Sequence, residues 1–152
     1  MAGITLGTLT GANTTFMLAV ANLYPTPVQI QGFAADDVIE TEAASPVETQ
    51  MGVDGILSAG LVAVPRKHII TLQGDSVSNL VFEAWDAAQQ AAAQTGGDLL
   101  WASAVLRLPS ISRTYIMAKG VLSSVMSSPS VKKLLQPRKY EITWETIAPG
   151  PM

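Results

Sequence analysis

Short runs of β-branched and aromatic residues, separated by Gly, Pro, Asn and Ser, constrain the fold of this chain more than any other feature of its sequence. Runs of this length, bounded by turn-forming residues, are typical of β-strands. Within 139–147 apolar residues alternate with polar ones, as in a strand that is buried on one face. The chain is therefore predicted to be mainly β. The predicted strands are Thr14–Ala21, Val28–Phe33, Asp37–Ala43, Ile56–Val62, Lys67–Gln73, Ala102–Leu106, Arg113–Ser124 and Lys139–Ile147.

One segment has the period of a helix instead. Its apolar residues recur at spacings of three and four, which places them in one stripe along a helix. The pattern predicts a helix over Ser76–Thr95, with Asp75 or Ser76 as the N-cap and Gly96–Gly97 as the stop. We expect this stripe to form the core between helix and sheet: Val77, Leu80, Val81, Ala84, Trp85 and Ala88.

Charge is scarce and unevenly placed. Charged residues make up 14% of the 152 residues, whereas soluble domains average roughly 25%. Because interface cores are depleted of charge, this deficit favours an assembly subunit. Residues 1–65 contain six acids and no Lys or Arg. We expect a single domain over 1–152, in which an acidic segment at about 34–60 leaves the compact body to contact a neighbouring copy and the tail 148–152 is extended.

The residue types that carry catalysis are not arranged for it. Gly74–Ser76 is similar to the nucleophile turn of some esterases, but the single histidine, His68, precedes Ser76 on a predicted strand. We interpret Asp75 and Ser76 as helix caps. One histidine and no cysteine argue against zinc, and no Gly-rich phosphate loop precedes the helix. We therefore predict no catalytic residues, no cofactor and no metal, and that the chain is not an enzyme.

Nucleic-acid and membrane binding are also weakly supported. Lys132, Lys133, Arg138 and Lys139 form a basic cluster that is interrupted by apolar residues, and we interpret it as a polar loop or as a partner for acids on the next subunit. The N-terminal segment lacks basic residues, and no run reaches the roughly 20 apolar residues that span a bilayer. We therefore expect neither a secretory signal nor a membrane partner.

Several segments, in a fixed order, carry a resemblance to a known family. They are Gly32–Asp37, Thr41–Ala43, Met51–Gly60, Ile70–Ser76, Phe82–Trp85, Leu108–Ile111, Arg113–Tyr115, Lys119–Leu122 and Leu135–Glu145. Together they resemble phage structural proteins that form the inner tail tube of contractile-tailed phages and related prophages. The resemblance runs from about Val28 to Ile147.

The resemblance implies an antiparallel β-sandwich or partial barrel with one flanking α-helix, a fold shared with the secretion tube of type VI systems. Six copies would close a ring, and stacked rings would form a hollow conduit for DNA ejection inside a contractile sheath. The implied partners are further copies, the sheath, the baseplate, the tail terminator and the tape measure protein, with DNA passing without specific binding. The implied location is the virion, after assembly in the host cytoplasm.

A conduit for DNA favours an acidic lining, because acids repel phosphates. We expect that lining to draw on Asp36, Asp37, Glu40, Glu42, Glu48 and Asp54, with Glu141 and Glu145 in reserve. The alternatives are a stand-alone β-sandwich module that binds a cationic partner, a tail terminator, a tube initiator, a type VI-like tube protein, or an esterase that uses Ser76.

Overall fold

The computed structural model describes residues 14–33 and 39–151, and they form nine β-strands, one α-helix and a short 3-10 turn at Pro109–Ile111. The prediction of a mainly β chain with one helix is confirmed. The strands are β1 (Thr15–Val20), β2 (Tyr24–Gln29), β3 (Ile39–Thr41), β4 (Val47–Met51), β5 (Leu57–Leu61), β6 (Arg66–Leu72), β7 (Ala102–Leu108), β8 (Arg113–Val125) and β9 (Arg138–Pro151), and the helix is α1 (Asn79–Thr95).

Seven strands form one antiparallel sheet in the order β2-β1-β7-β8-β9-β6-β3, and β4 and β5 pair separately as a hairpin. The long β8–β9 pair is central to the sheet, with Arg113 opposite Pro151 and Val125 opposite Tyr140. Strand β6 pairs with the first half of β9, from Leu72 opposite Arg138 to Arg66 opposite Trp144. The sheet therefore has two edges, at β2 and β3.

Three strand predictions differ from the structure. β4 was not predicted, because its residues Val47–Met51 carry only a short apolar pattern. β9 continues to Pro151 instead of ending at Ile147, since pairing with β8 holds the tail in the sheet. β2 begins at Tyr24 rather than Val28, although it contains Pro25 and Pro27.

An edge strand tolerates these prolines. The backbone N–H of Ile30 donates to the carbonyl of Phe16, so alternate residues of the β2 segment direct their backbone groups towards β1. Pro27 lies at an intervening, outward position, where the missing N–H removes no bond of the sheet. Pro25 lies in a bulge, because β2 advances four residues between Val28 and Tyr24 while β1 advances two between Leu18 and Val20, and a bulge also tolerates a missing N–H.

The core lies between one face of the sheet and α1. The ring of Phe82 stacks on that of Tyr140 with centroids 4.2 Å apart, and the indole N–H of Trp85 donates to the carbonyl of Leu100 at 3.1 Å. The hydroxyl of Tyr140 donates to Asn79 Oδ1 at 2.8 Å, and burial raises the pKa of Tyr140 to about 12. The buried strand residues that share this core include Phe16, Leu18, Val20, Ile70, Leu72, Ala104, Leu106, Met117, Leu122, Ile142 and Trp144.

The helix differs from its prediction at its start and in its buried face. It begins at Asn79, with Ser78 at the N-cap position, and ends as predicted at Gly96, whose φ of 73° is left-handed. Val81 and Trp85 are buried, but Val77 and Leu80 are exposed and are not part of the core. The reason is that Val77 precedes the helix and does not follow its period. The buried stripe is centred on Phe82 instead.

We expect Gly120→Ala to lower the free energy of unfolding by about 1–3 kcal/mol, as overpacking does in a filled core. Gly120 lies opposite Trp144, and an added Cβ would overlap the indole ring. Urea denaturation followed by circular dichroism measures the loss. Gly60→Ala is the control, because a Cβ there meets nothing within 4 Å. Equal losses in both variants would contradict the packing argument.

Candidate assembly surfaces

The β4–β5 hairpin stands apart from the core, and every residue of both strands is exposed. Its register places Val47 opposite Leu61 and Met51 opposite Leu57. Because side chains alternate along a strand, these residues share one face, which we call the apolar face of the hairpin. Glu48, Gln50, Ser58 and Gly60 lie on the opposite, polar face.

The tip of the hairpin is built by a tight turn. Asp54 Oδ1 accepts a hydrogen bond from the backbone N–H of Ile56 at 3.1 Å, and Gly55 adopts a φ of 82°. Val53 and Ile56 beside the turn are also exposed. A two-stranded hairpin is marginally stable by itself in water. The exposed apolar face therefore indicates a surface that another chain covers.

A second exposed apolar region is the loop between β8 and β9, residues 126–137, which we call the KKLL loop after Lys132–Leu135. Val131 and Leu135 form a β-bridge, and their side chains and that of Leu134 are exposed. The loop borders a groove whose other wall is the turn after β6, where Leu135 contacts Gly74. The guanidinium of Arg138 donates to the carbonyl of Met126 at 2.7 Å and to Glu83 at 2.6 Å. These bonds fix the base of the loop against α1.

The face of the sheet opposite α1 carries two lysine–carboxylate pairs, and we call it the open face. Lys67 lies 3.7 Å from Glu141, and Lys119 lies 3.6 Å from Glu145. The ammonium group of Lys119 also lies 5.0 Å from the ring centre of Trp101. Each of these two lysines thus lies near a carboxylate that partly neutralises its charge.

Of the acids predicted to line a channel, the four that the structure describes are divided between β3 and the hairpin. Asp36 and Asp37 lie outside the described residues. Glu40 lies on β3 and Glu42 directly after it, whereas Glu48 and Asp54 belong to the hairpin, and all four are exposed. Sequence reasoning did not foresee the two lysine–carboxylate pairs of the open face, because they join residues that only the sheet register brings together.

The residues considered for esterase chemistry have structural contacts. The hydroxyl of Ser76 donates to the carbonyl of Gln31 at 2.5 Å and accepts a bond from the backbone N–H of Ser78. His68 is buried on β6, edge-on to the ring of Trp144, with centroids 6.5 Å apart. In the described part of the chain, no three His, Asp or Glu residues are grouped to hold a metal ion. No helix there is long and apolar enough to cross a membrane.

We expect acid to destabilise the fold through His68. Burial lowers the pKa of His68 below 6.5, and its Nδ1 has no hydrogen-bond partner among the described residues. The unfolded chain takes up a proton as the pH falls through about 6.5, while the folded chain does not, so stability is lost below that pH. Thermal unfolding at pH 7 and pH 5 should show a smaller loss in His68→Leu than in the unmodified chain. An unchanged pH dependence would contradict this assignment.

A family model described as tail fiber protein gp32 matches residues 7–148, which is most of the chain. The chain belongs to the gp32 family. No curated protein sequence matches this gp32-family chain.

Solved structures show that the gp32-family chain shares its fold with chains of contractile injection systems, and the resemblance to tail-tube proteins is confirmed. A chain in the PVC sheath–tube complex of an extracellular contractile injection system, in its extended state, is 8% identical with a TM-score of 0.58, over 90% of this chain and 88% of that one. A chain in the PVC sheath/tube terminator structure is 8% identical with a TM-score of 0.60, over 96% and 99%. One in the anti-feeding prophage baseplate is 11% identical with a TM-score of 0.59, over 97% and 98%.

Proposed function

We propose that this chain is the repeating subunit of the inner tail tube of a contractile phage tail. The observation that carries the proposal is the fully exposed β4–β5 hairpin with its apolar face. Such a hairpin needs a covering chain, and further copies of the same chain are the covering chain that a repeating assembly supplies. The fold shared with tube proteins supports this reading.

Six copies close a ring in this proposal, with the β2 edge of one copy beside the β3 edge of the next. Closure protects the two sheet edges that a free subunit exposes. The helix lies on the outside of the ring, towards a sheath, and the open face lines a channel through which DNA is ejected. The baseplate, the tape measure protein and a terminator are the other partners, in a virion assembled in the host cytoplasm.

The proposal is tested by imaging the purified chain in negative stain. Rings of uniform diameter that stack into hollow tubes are the expected result. A chain that stays monomeric at high concentration would contradict the proposal and favour a stand-alone β-sandwich module.

A tube terminator is the second candidate, because the terminator structure matches this chain over almost its whole length. A terminator closes a tube and does not extend it. Single rings that bind the ends of preformed tubes but never stack on each other would support this candidate.

We expect the open face to bind DNA weakly because Glu141 and Glu145 neutralise Lys67 and Lys119. Glu141→Gln with Glu145→Gln should make tubes retain DNA at low salt and release it as salt increases, since released counterions drive phosphate binding. Sedimentation of tubes with labelled DNA measures this retention. The double variant Asp86→Asn with Asp98→Asn, with the same charge change on α1 and after it, is the control. Strong retention by unmodified tubes would contradict the expectation.

A further inference from the structure

We propose that the apolar face of the β4–β5 hairpin docks on the KKLL loop of the next copy along the tube axis. The inference rests on the proposed function and names the pair of surfaces that joins one ring to the next. Each of the two surfaces is covered by a second copy of this chain.

The two surfaces lie at opposite ends of the β6–β9 strand pair. The hairpin leaves the sheet at the Arg66 end of β6, which lies opposite Trp144. The KKLL loop lies beyond the Leu72 end, which pairs with Arg138 at the start of β9. With a rise of about 3.3 Å per residue, β6 separates these ends by roughly 20 Å. The hairpin and the loop therefore leave the β6–β9 pair in opposite directions.

Surfaces at opposite ends of one chain meet head to tail when copies stack in the same orientation. Such a contact does not close on itself, so that repeating it produces an open filament. The hairpin and the loop are thus placed as a longitudinal contact.

The chemistry of the two surfaces is complementary. Residues 39–61, which contain the hairpin, include four acids and no Lys or Arg, whereas 126–137 contains Lys132 and Lys133 and no acid. Each surface also exposes large aliphatic side chains, with Leu61 90% exposed on the hairpin and Leu134 76% exposed on the loop. Docking covers apolar residues on both sides and brings Asp54, at the tip of the hairpin, towards the lysines.

Backbone hydrogen bonds within the KKLL loop hold it in one conformation before docking. The Val131–Leu135 bridge and the hydrogen bond from the Gln136 N–H to the carbonyl of Ser130 hold it closed. Arg138 fixes its base. The loop therefore presents its leucines without the loss of conformational freedom that a disordered segment would incur on binding.

Cysteine cross-linking tests the contact directly, because the sequence contains no cysteine. Tubes assembled from Leu61→Cys/Leu134→Cys should form, on mild oxidation, a covalent ladder that continues well beyond six subunits. Each single-cysteine variant should give no more than dimers. The control Leu61→Cys/Leu99→Cys places the second cysteine at an exposed leucine outside the loop and should give no ladder. Absence of a ladder in the first variant, or a ladder that stops at a closed ring of six, would overturn the inference.

Charge reversal provides a second test that does not depend on cysteine geometry. Lys132→Glu with Lys133→Glu should leave folded rings that do not stack at low salt, because the reversed charges then face the acidic hairpin of the next copy. Arg107→Glu with Arg113→Glu, which changes the charge equally outside this basic cluster, should stack as the unmodified chain does.

Normal tubes from the loop variant would overturn the docking pair and leave the proposed function standing. Failure of the unmodified chain to form any ring or tube would instead contradict the proposed function itself.

Discussion

Trp85→Ala is expected to lower the free energy of unfolding by roughly 3–5 kcal/mol, the range for removing a fully buried large aromatic side chain. Trp85 has no exposed surface, and its indole N–H is bonded to the carbonyl of Leu100. The substitution therefore leaves a cavity between α1 and the sheet and also an unpaired carbonyl at the approach to β7. Few other single substitutions in this chain remove as much packed surface.

Urea denaturation of the unassembled subunit, followed by circular dichroism, measures the effect. Leu80→Ala is the matched control, because Leu80 lies on the same helix and is 64% exposed. It should change the free energy of unfolding by less than about 0.5 kcal/mol, as exposed substitutions usually do. If Trp85→Ala were no more harmful than this control, the packing of α1 on the sheet would be wrong.

Deletion of Glu48–Asp54 should abolish polymerisation and leave the subunit folded. The deletion removes most of β4 and the tip of the hairpin, and neither contributes a buried residue to the core. Any longitudinal contact of the hairpin is lost with it. Electron microscopy should show no tubes, while circular dichroism and the thermal midpoint remain close to those of the unmodified chain.

Point substitutions refine the same prediction. Met51→Ser with Leu61→Ser on the apolar face should shorten or prevent tubes, whereas Ser58→Ala on the polar face should have little effect. Normal tubes from the deleted chain would show that the hairpin is not an assembly element.

Most strands could be predicted from the sequence because the core face of the sheet is continuous. β9 alternates clearly, and the runs that became β1, β6, β7 and β8 lie at or within two residues of their observed bounds at most ends. β4 could not be predicted, since its pairing depends on β5 and on a turn, and both of its faces are exposed in a single chain. β4 has no alternation of buried and exposed residues in the single chain, so its sequence lacks the pattern by which the other strands were predicted.

The helix shows a different limit of sequence reasoning. Val77 and Leu80 match a helical stripe on spacing alone, but the helix starts only at Asn79, whose amide binds the carbonyl of Gln73 and the hydroxyl of Tyr140. These bonds rotate the buried face towards Phe82. The contact role of the acidic segment was predicted from the sequence and stays a prediction. The groove beside the KKLL loop could not be predicted, because it arises from the approach of Leu135 to Gly74.

The prolines of β2 affect whether unassembled subunits can aggregate through that edge of the sheet. An unassembled subunit exposes its sheet edges to other copies. Pro25 and Pro27 each lack the N–H that a strand pairing along the β2 edge would use, which weakens such pairing. The prolines therefore disfavour edge-to-edge aggregation of unassembled subunits.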